Sequence, residues 1–303
     1  MFDSYYPGMS WDAYRSDWPL AQHSQFVQAG AIDWHVQTLG QGPCMLLLHG
    51  TGSGSFSWRG LLPPLAKHFT VVAPDLPGHA FSSRGPDGTL SLPGMGEGLR
   101  ALMWQLKLTP KVIVGHSAGA AIAAHMVLEH AHMADTTLIG LNPAWLPLPG
   151  AAAWLFGPAA KLAQLNPLSA WATAKMASKP GTMARWLQRT GSQLDAQGVD
   201  MYNRVLGHPG HVHGVLSMMA AWQLKPLASR LHEIRNPVYM AIGSHDQTVP
   251  PVLAEQACLR LPQAVKILQH GLGHLAHEQD PLGTAQQILR WCTQSAAPEH
   301  AQT

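Results

Sequence analysis

The sequence predicts an α/β protein, in which a mostly parallel sheet has helices on both faces and an inserted helical cap. Short apolar segments, such as residues 44–48, 70–74 and 137–141, alternate with segments of helical character. This alternation is typical of a parallel sheet covered by helices. After Asn142 the alternation stops, and residues 143–222 contain helical stretches but no convincing strand.

The same pattern predicts one domain with an insertion. Residues 1–142 and 223–303 carry the predicted strands and form the expected core. Within them, residues 24–40 alternate in polarity as a β-hairpin that turns near Gly30. Residues 143–222 form the expected cap over the edge of the sheet where ligands bind in open α/β folds.

The composition is that of a soluble globular enzyme. The chain has 303 residues, of which 46% are hydrophobic and 12% charged, and its formal net charge is +2. This charge and the lack of a basic run argue against nucleic-acid binding. The N-terminus has no secretory signal pattern, and no apolar stretch is long enough to span a bilayer. The three cysteines have no metal-like spacing and fit a reducing cytoplasm, where we expect the protein.

One serine is held between two glycines at the end of an apolar strand. The run is Val114-Gly115-His116-Ser117-Ala118-Gly119-Ala120, followed by small residues that suit a helix packed closely on a sheet. This G-x-S-x-G pattern predicts a sharp strand-to-helix turn that exposes the Ser117 hydroxyl. We expect Ser117 to have a positive φ and to act as the nucleophile.

A serine hydroxyl needs a base, and in this arrangement an acid and a histidine should follow the serine in that order. The apolar segment 237–243 leads into Asp246, and the short segment 264–268 leads into the loop that contains His274. Both side chains would therefore lie just past strand ends, where a carboxylate can meet an imidazole. The sequence predicts a catalytic triad of Ser117, Asp246 and His274.

A glycine-rich loop after the strand at 44–48 predicts an oxyanion hole. Its sequence is His49-Gly50-Thr51-Gly52-Ser53-Gly54. Backbone N–H groups of Thr51 and of Ala118, the residue after the nucleophile, would face the developing oxyanion. Phosphate binding is the alternative, but the loop lacks the G-K-[ST] ending of a P-loop and the glycine spacing of a dinucleotide site.

The predicted cap is rich in tryptophan and methionine. For any single tryptophan or methionine, a place in the core of the cap is the preferred interpretation. As a group, such side chains form adaptable apolar surface, which favours a bulky apolar substrate or ligand. The candidate substrate-binding residues are Trp145, Trp154, Trp222 and Met218.

Other histidines are alternatives for the base or for a metal site. His277 follows His274 by three residues, but the glycines before His274 favour His274 as the base. His208, His211 and His213 form a cluster of a kind found in metal sites. They lack a nearby Asp, Glu or Cys with zinc-site spacing, so a polar cap loop is the preferred interpretation. We expect no metal and no cofactor.

These motifs make the whole chain resemble the α/β-hydrolase superfamily. Within it, the chain is similar to the magnesium chelatase accessory proteins of bacteriochlorophyll biosynthesis, the BchO family. The residues that carry this narrower likeness are Asp17-Trp18-Pro19, Trp34-His35-Val36-Gln37, the run from His68 to His79, Thr190-Gly191-Ser192, Met218-Met219-Ala220 and the run from Gly271 to Glu278. The resemblance implies a role near the insertion of magnesium into protoporphyrin IX, with a tetrapyrrole-like ligand and magnesium chelatase subunits as partners.

The sequence therefore predicts a serine hydrolase that cleaves an ester or a related acyl bond of a bulky apolar substrate. A serine at the nucleophile position argues against dehalogenases and epoxide hydrolases, which would have an aspartate there. The competing hypothesis is a tetrapyrrole-binding or chelatase accessory protein that keeps the fold without catalysis.

Overall fold

The computed structural model describes residues 6–148, 159–166, 168–261 and 263–296. Eight strands form one sheet in the order β1-β2-β4-β3-β5-β6-β7-β8. The first pairs, β1 with β2 and β2 with β4, are antiparallel, and all other pairs are parallel. The strands are β1 Ser24–Ala29, β2 Ile32–Leu39, β3 Cys44–Leu48, β4 Thr70–Pro74, β5 Pro110–His116, β6 Thr137–Leu141, β7 Val238–Gly243 and β8 Val265–Gln269.

Helices connect the strands. Those before β6 are α1 Trp11–Tyr14, α2 Leu62–Leu65, α3 Leu92–Gln105 and α4 Ala118–Glu129. Those between β6 and β7 are α5 Ala160–Leu165, α6 Ser169–Ala177, α7 Thr182–Gln188, α8 Ala196–Leu206, α9 Pro209–Ala221 and α10 Lys225–Arg230. The last are α11 Pro251–Cys258, α12 Ala276–Gln279 and α13 Pro281–Ala296, and short 3-10 turns cover Ala21–His23, Ser55–Trp58, Ala131–Met133 and Leu231–Glu233.

The sheet has a hydrophobic core on each face, as side-chain alternation along a strand requires. In β3, Leu46 and Leu48 pack with α3 and α4 on one face. Met45 and Leu47 point to the other face, where they pack with Trp58 and with α13. All five residues of β3 are buried, which is typical of a central parallel strand.

The structure confirms the predicted fold class and the hairpin, whose strands β1 and β2 turn at Gly30 with φ of 61°. One element is shorter than the sequence predicts. Residues 58–68, between two predicted strands, have the character of a helix from Trp58 to His68. The structure has only the four-residue α2 there. Pro63 and Pro64 fall in its first turn, where proline is tolerated, but they leave few N–H donors to extend a helix upstream.

The described residues between β6 and β7 are helical and contain no strand. The division into a core of residues 1–142 and 223–303 and a cap of residues 143–222 stays a prediction. Among the helices that the structure describes, none has both the length and the apolar character needed to cross a bilayer.

Candidate active site

Ser117 forms the turn between β5 and α4, with φ of 53° and ψ of −116°. A positive φ is costly for a residue with a side chain, and such strain is common at functional sites. Both flanking glycines are required by close contacts. A Cβ at Gly115 would lie 2.4 Å from the backbone of Ala120, and one at Gly119 would lie 2.1 Å from the carbonyl oxygen of Leu48. The turn therefore has the geometry that its sequence pattern predicts.

Asp246 and His274 follow β7 and β8 and meet at the carboxyl edge of the sheet. The His274 Nδ1 atom lies 2.8 Å from Asp246 Oδ2, and both side chains are buried. The other carboxylate oxygen accepts hydrogen bonds from the backbone N–H groups of Thr248 and Val249, each at 2.8 Å. These contacts fix the carboxylate and leave the Nε2 atom of His274 as the nitrogen that can exchange a proton.

The backbone of His274 is held from two neighbouring strands. The side-chain amide of Asn142, after β6, donates to the carbonyl oxygen of His274 at 2.7 Å and to that of Gly273 at 3.0 Å. The Nε2 atom of His116, the last residue of β5, lies 2.8 Å from the same His274 oxygen. The Asn142 side-chain oxygen accepts the N–H of Gly243 at 2.6 Å. We call residues 270–275, which contain His274, the base loop. Asn142 therefore ties the base loop to the end of β7, a role that sequence reasoning missed.

The segment Thr190-Gly191-Ser192 also holds the base loop. The carbonyl oxygen of Thr190 accepts the N–H of His274 at 3.1 Å, and the Ser192 hydroxyl accepts the N–H of Leu275 at 2.8 Å. Gly191 has φ of 80°, and a Cβ there would lie 1.8 Å from a backbone oxygen of the neighbouring loop. This segment from the predicted cap is thus part of the support of the site.

One cavity of about 1020 Å³ joins the predicted catalytic groups, since Ser117, His274, Thr51 and Ala118 all line it. Ala118 is the first residue of α4, so its N–H has no partner within the helix. No hydrogen bond among the described residues uses the backbone N–H of Thr51 or Ala118. Both N–H groups are therefore available to a ligand oxygen in this cavity.

The rest of the cavity wall is mainly apolar. Its large apolar members are Leu148, Met183, Trp186, Leu187, Leu206, Val212, Val215, Leu216, Met219, Trp222, Leu224, Val249 and Leu275. Among the described lining residues, the fixed charges are those of Lys161 and Lys225, and none is a carboxylate. Both lysines are exposed, which places their ammonium groups at the rim.

The four predicted substrate-binding residues have different positions. Trp222 lines the cavity. Trp145 does not: it is fully buried in the core beside the sheet, where its indole N–H donates to the Ala120 carbonyl at 2.8 Å. The prediction for Trp145 is therefore corrected, because burial on that face removes it from the cavity. The sulfur of the buried Met218 lies 3.7 Å from the hydroxyl of Thr51, in the glycine-rich loop of residues 49–54 that we call the oxyanion loop. Trp154 lies outside the described residues.

The structure separates His274 from the rival base His277. His277 is 1% exposed, and its ring lies between those of Trp58 and His116. Burial, with a smaller effect of the nearby His274, lowers the pKa of His277 to about 3. A neutral, enclosed imidazole outside the cavity lining does not fit the role of a base.

The histidines near residue 210 contact three different parts of the protein. His211 accepts the N–H of Ala80 at 2.8 Å, and its other nitrogen lies 3.3 Å from the Gly52 carbonyl. His213 stacks on Tyr6, and the side chain of His208 accepts the N–H of Gly210. Their ring nitrogens therefore contact different groups. The interpretation of this segment as a polar loop is wrong, because residues 209–221 form helix α9 and both His211 and His213 are buried in it.

Asp75, a second carboxylate at a strand end, pairs with His35 at 2.8 Å instead of with His274. Its other oxygen accepts the N–H of Ser55 at 2.6 Å. Burial opposes ionisation of Asp75, but His35, His49 and the Ser55 hydrogen bond outweigh it and lower its pKa to about 2. Asp75 therefore acts as a structural anion that holds the oxyanion loop.

Sequence reasoning also missed a buried acidic network beside the cavity. Glu278 has a fully buried side chain, 2.5 Å from an Arg59 nitrogen and 2.8 Å from the Tyr202 hydroxyl. The same hydroxyl lies 3.1 Å from Ser53 on the oxyanion loop, and Arg59 also contacts Asp195 at 3.1 Å. The network thus joins the oxyanion and base loops to α8. A glutamate four residues after the base is a weak signal, since nothing in the sequence pairs it with Arg59.

A profile of the α/β hydrolase fold family matches residues 43–281. The chain belongs to this family. It is 34% identical over 278 residues to the magnesium-chelatase 30 kDa subunit of Rhodobacter capsulatus, a match that covers 91% of this chain and 96% of that protein. The similarity confirms the resemblance to the magnesium chelatase accessory proteins.

Other relatives are named as hydrolases. A pimeloyl-[acyl-carrier protein] methyl ester esterase of Aromatoleum aromaticum is 28% identical, with 82% of this chain and 98% of that protein covered. Among solved structures, a putative lipase from Acinetobacter baumannii AYE aligns with a TM-score of 0.76 at 20% identity, over 96% of this chain and 98% of that chain. An esterase from Thermogutta terrifontis aligns with a TM-score of 0.70 at 21% identity, over 90% and 99%. These structures show the shared fold.

Proposed function

We propose that the protein is a serine hydrolase that cleaves an ester or related acyl bond of a bulky apolar substrate. One observation carries this proposal. His274, which is paired with Asp246, lines the same cavity as Ser117, Thr51 and Ala118. A protein that only binds a ligand has no need for a strained serine, a hydrogen-bonded acid–base pair and free N–H donors in one place.

The geometry supports a two-step reaction. The Ser117 oxygen attacks the acyl carbonyl carbon while Nε2 of His274 takes the hydroxyl proton, and the carbonyl oxygen becomes an oxyanion against the Thr51 and Ala118 N–H groups. Asp246 stabilises the imidazolium through Nδ1. His274 then returns the proton to the leaving alcohol as the carbon–oxygen bond breaks. Water, activated by His274 in the same way, releases the acid and restores Ser117.

The cavity supports the substrate class. A volume of about 1020 Å³ with a mainly apolar wall suits a large apolar body. Lys161 and Lys225 at the rim, with no carboxylate among the described lining residues, favour an anionic substituent over a cationic one. We infer a link to bacteriochlorophyll biosynthesis, with a tetrapyrrole-like ligand and magnesium chelatase subunits as partners, from the similarity to the magnesium-chelatase 30 kDa subunit.

Labelling with a fluorophosphonate probe tests the reaction. The wild-type protein should be labelled and should hydrolyse p-nitrophenyl esters, and Ser117→Ala should lose both properties while its circular dichroism is unchanged. A Ser57→Ala variant is a matched control, because Ser57 is buried nearby but is not among the lining residues. A folded wild-type protein that the probe does not label would contradict the proposal.

The alternative, a non-catalytic tetrapyrrole-binding or accessory protein, is favoured by the size of the cavity. Titration with protoporphyrin IX separates the two, because Trp186 and Trp222 line the cavity and their emission should be quenched by a bound tetrapyrrole. Saturable quenching that weakens in Trp222→Leu, without probe labelling, would support the alternative. Saturable quenching that competes with the probe would support a shared catalytic pocket.

A further inference from the structure

Helix α6 buries its small side chains and exposes its large ones. Ala170, Ala174 and Ala177 are buried, whereas Trp171 is 48% exposed and Met176 is 50% exposed. This is the reverse of the usual arrangement, in which the large apolar residues of a helix face the core. The outward apolar residues of α6 therefore serve something other than the core.

Helix α5 has the same arrangement. Ala160 is buried, and Gln164 bonds to Ser217 of α9, so this side of α5 faces the protein. The opposite side exposes Leu162 by 64% and Leu165 by 77%, and Leu168, just after the helix, is 69% exposed. The described chain has twelve exposed large apolar residues, and five of them lie within residues 162–176. We call these five, namely Leu162, Leu165, Leu168, Trp171 and Met176, the α5–α6 face.

The segment of the chain that carries the α5–α6 face has charges of one sign. Residues 136–194 contain five basic residues and no aspartate or glutamate. The whole chain has a formal net charge of +2, so the rest of the chain carries −3. The basic residues are Lys161, Lys175, Lys179, Arg185 and Arg189, and none of them forms an ion pair with a carboxylate among the described residues.

We propose that the α5–α6 face docks on an anionic lipid bilayer. Apolar and aromatic side chains surrounded by lysines can enter the headgroup boundary while the ammonium groups meet lipid phosphates. A second copy of the chain fits this face poorly, because two surfaces of the same positive charge would repel each other.

The same helices border the cavity, since Lys161 of α5 and Thr173 of α6 line it. Docking would therefore bring an apolar cavity next to the acyl chains in which apolar molecules dissolve. The docking proposal rests on exposure and charge alone, so it does not depend on the proposed hydrolysis.

Vesicle flotation tests the docking. The full chain should float with vesicles of phosphatidylglycerol and phosphatidylcholine in equal amounts, and less with phosphatidylcholine alone or at high salt. A variant with Leu165→Gln, Leu168→Gln and Trp171→Gln should lose most of its binding. Its matched control carries Leu259→Gln, Leu282→Gln and Trp104→Gln, at residues elsewhere on the surface that are 63% to 86% exposed, and should bind like wild type.

A second pair of variants tests the charge. Lys175→Gln with Lys179→Gln should weaken binding to the anionic vesicles about fivefold per lysine. The control variant, Lys67→Gln with Lys111→Gln, changes two exposed lysines outside residues 136–194 and should weaken vesicle binding much less. Flotation that is absent for wild type, or equal in the test and control variants, would overturn the proposal. A wild-type dimer that Leu165→Gln converts to a monomer would assign the face to a second copy instead.

Discussion

The loops at the carboxyl edge of the sheet and the helices between β6 and β7 line the same cavity, but different interactions build them. In the loops, polar groups are paired across strands: Asn142 joins β6, β7 and the base loop, and Asp246 accepts two backbone N–H groups besides His274. In the helices, the cavity wall is made of apolar side chains from several short segments.

This difference assigns separate tasks to the two regions. Hydrogen-bonded loops fix atoms to within fractions of an ångström, which proton transfer requires. Apolar walls tolerate substitution of similar volume, so they can change the accepted ligand without moving the catalytic groups. We therefore expect changes in the loops to reduce turnover and changes in the helices to alter binding.

The largest expected effect belongs to the base. His274→Ala should lower kcat for p-nitrophenyl esters by about a thousandfold or more, because the serine then has no proton acceptor and the members of a triad act as a unit. The measurement is steady-state kinetics on protein whose folding has been verified by circular dichroism.

His277→Gln is the matched control for this variant, since His277 is equally buried and lies three residues away. The kcat of His277→Gln should stay within a few-fold of the wild-type value, because the His277 ring forms no hydrogen bond with Asp246 or Ser117 among the described residues. The assignment of the base would be wrong if His277→Gln removed activity and His274→Ala did not.

Substitution of Trp145, which lies in the core, should have a different effect from substitution of Trp222, which lines the cavity. Trp145→Leu should lower the free energy of unfolding by about 2 to 4 kcal/mol, because it removes buried area and the hydrogen bond from the indole to the Ala120 carbonyl. Trp222→Leu should raise KM for bulky esters several-fold with a smaller loss of stability, because Trp222 lines the cavity. Chemical denaturation and kinetics on both variants measure the two effects, and equal behaviour would remove the distinction between core and cavity wall.

Local patterns were enough to predict the turn at Ser117 and the contact between Asp246 and His274. The glycines around Ser117 indicated a turn that only small neighbouring residues permit. The positions of Asp246 and His274 after two strands predicted that the two side chains lie close together. These features depend on residues close in sequence or on the topology of a parallel sheet. Both can be read without knowing side-chain packing.

The contacts that depend on distant residues were not predictable. Asn142 bonds to residues more than 100 positions away, and Trp145 belongs to the core although it resembles the other tryptophans of the predicted cap. Alternation and composition say that a side chain is apolar, but not which of two apolar spaces it enters. The interaction of Glu278 with Arg59 is of the same kind, because its partners are separated by 219 positions.

The smallest expected effect concerns the contact between the two regions, where Glu278 bonds to Tyr202 of α8 and to Arg59. Burial outweighs the attraction of Arg59 and raises the pKa of Glu278 to about 7. At pH values between the usual glutamate pKa of about 4.3 and about 7, Glu278 keeps its proton in the folded protein but has released it in the unfolded chain. The contribution of Glu278 to stability should therefore fall as pH rises through this window.

Glu278→Gln isolates this contribution, since the amide is close in shape to the protonated acid and does not titrate. This comparison is needed because other groups titrate with the opposite effect. Burial lowers the pKa of histidines such as His116 and His277, so their contribution makes the fold less stable as pH falls below about 6.5. The stability of wild type minus that of Glu278→Gln should decrease by on the order of 2 kcal/mol from pH 5 to pH 8. Urea denaturation across this range measures it, with the exposed Glu255→Gln as control. A difference that is constant with pH would mean that Glu278 is ionised throughout, and that an ion pair with Arg59, not a protonated Glu278, joins α8 to the loops at the cavity.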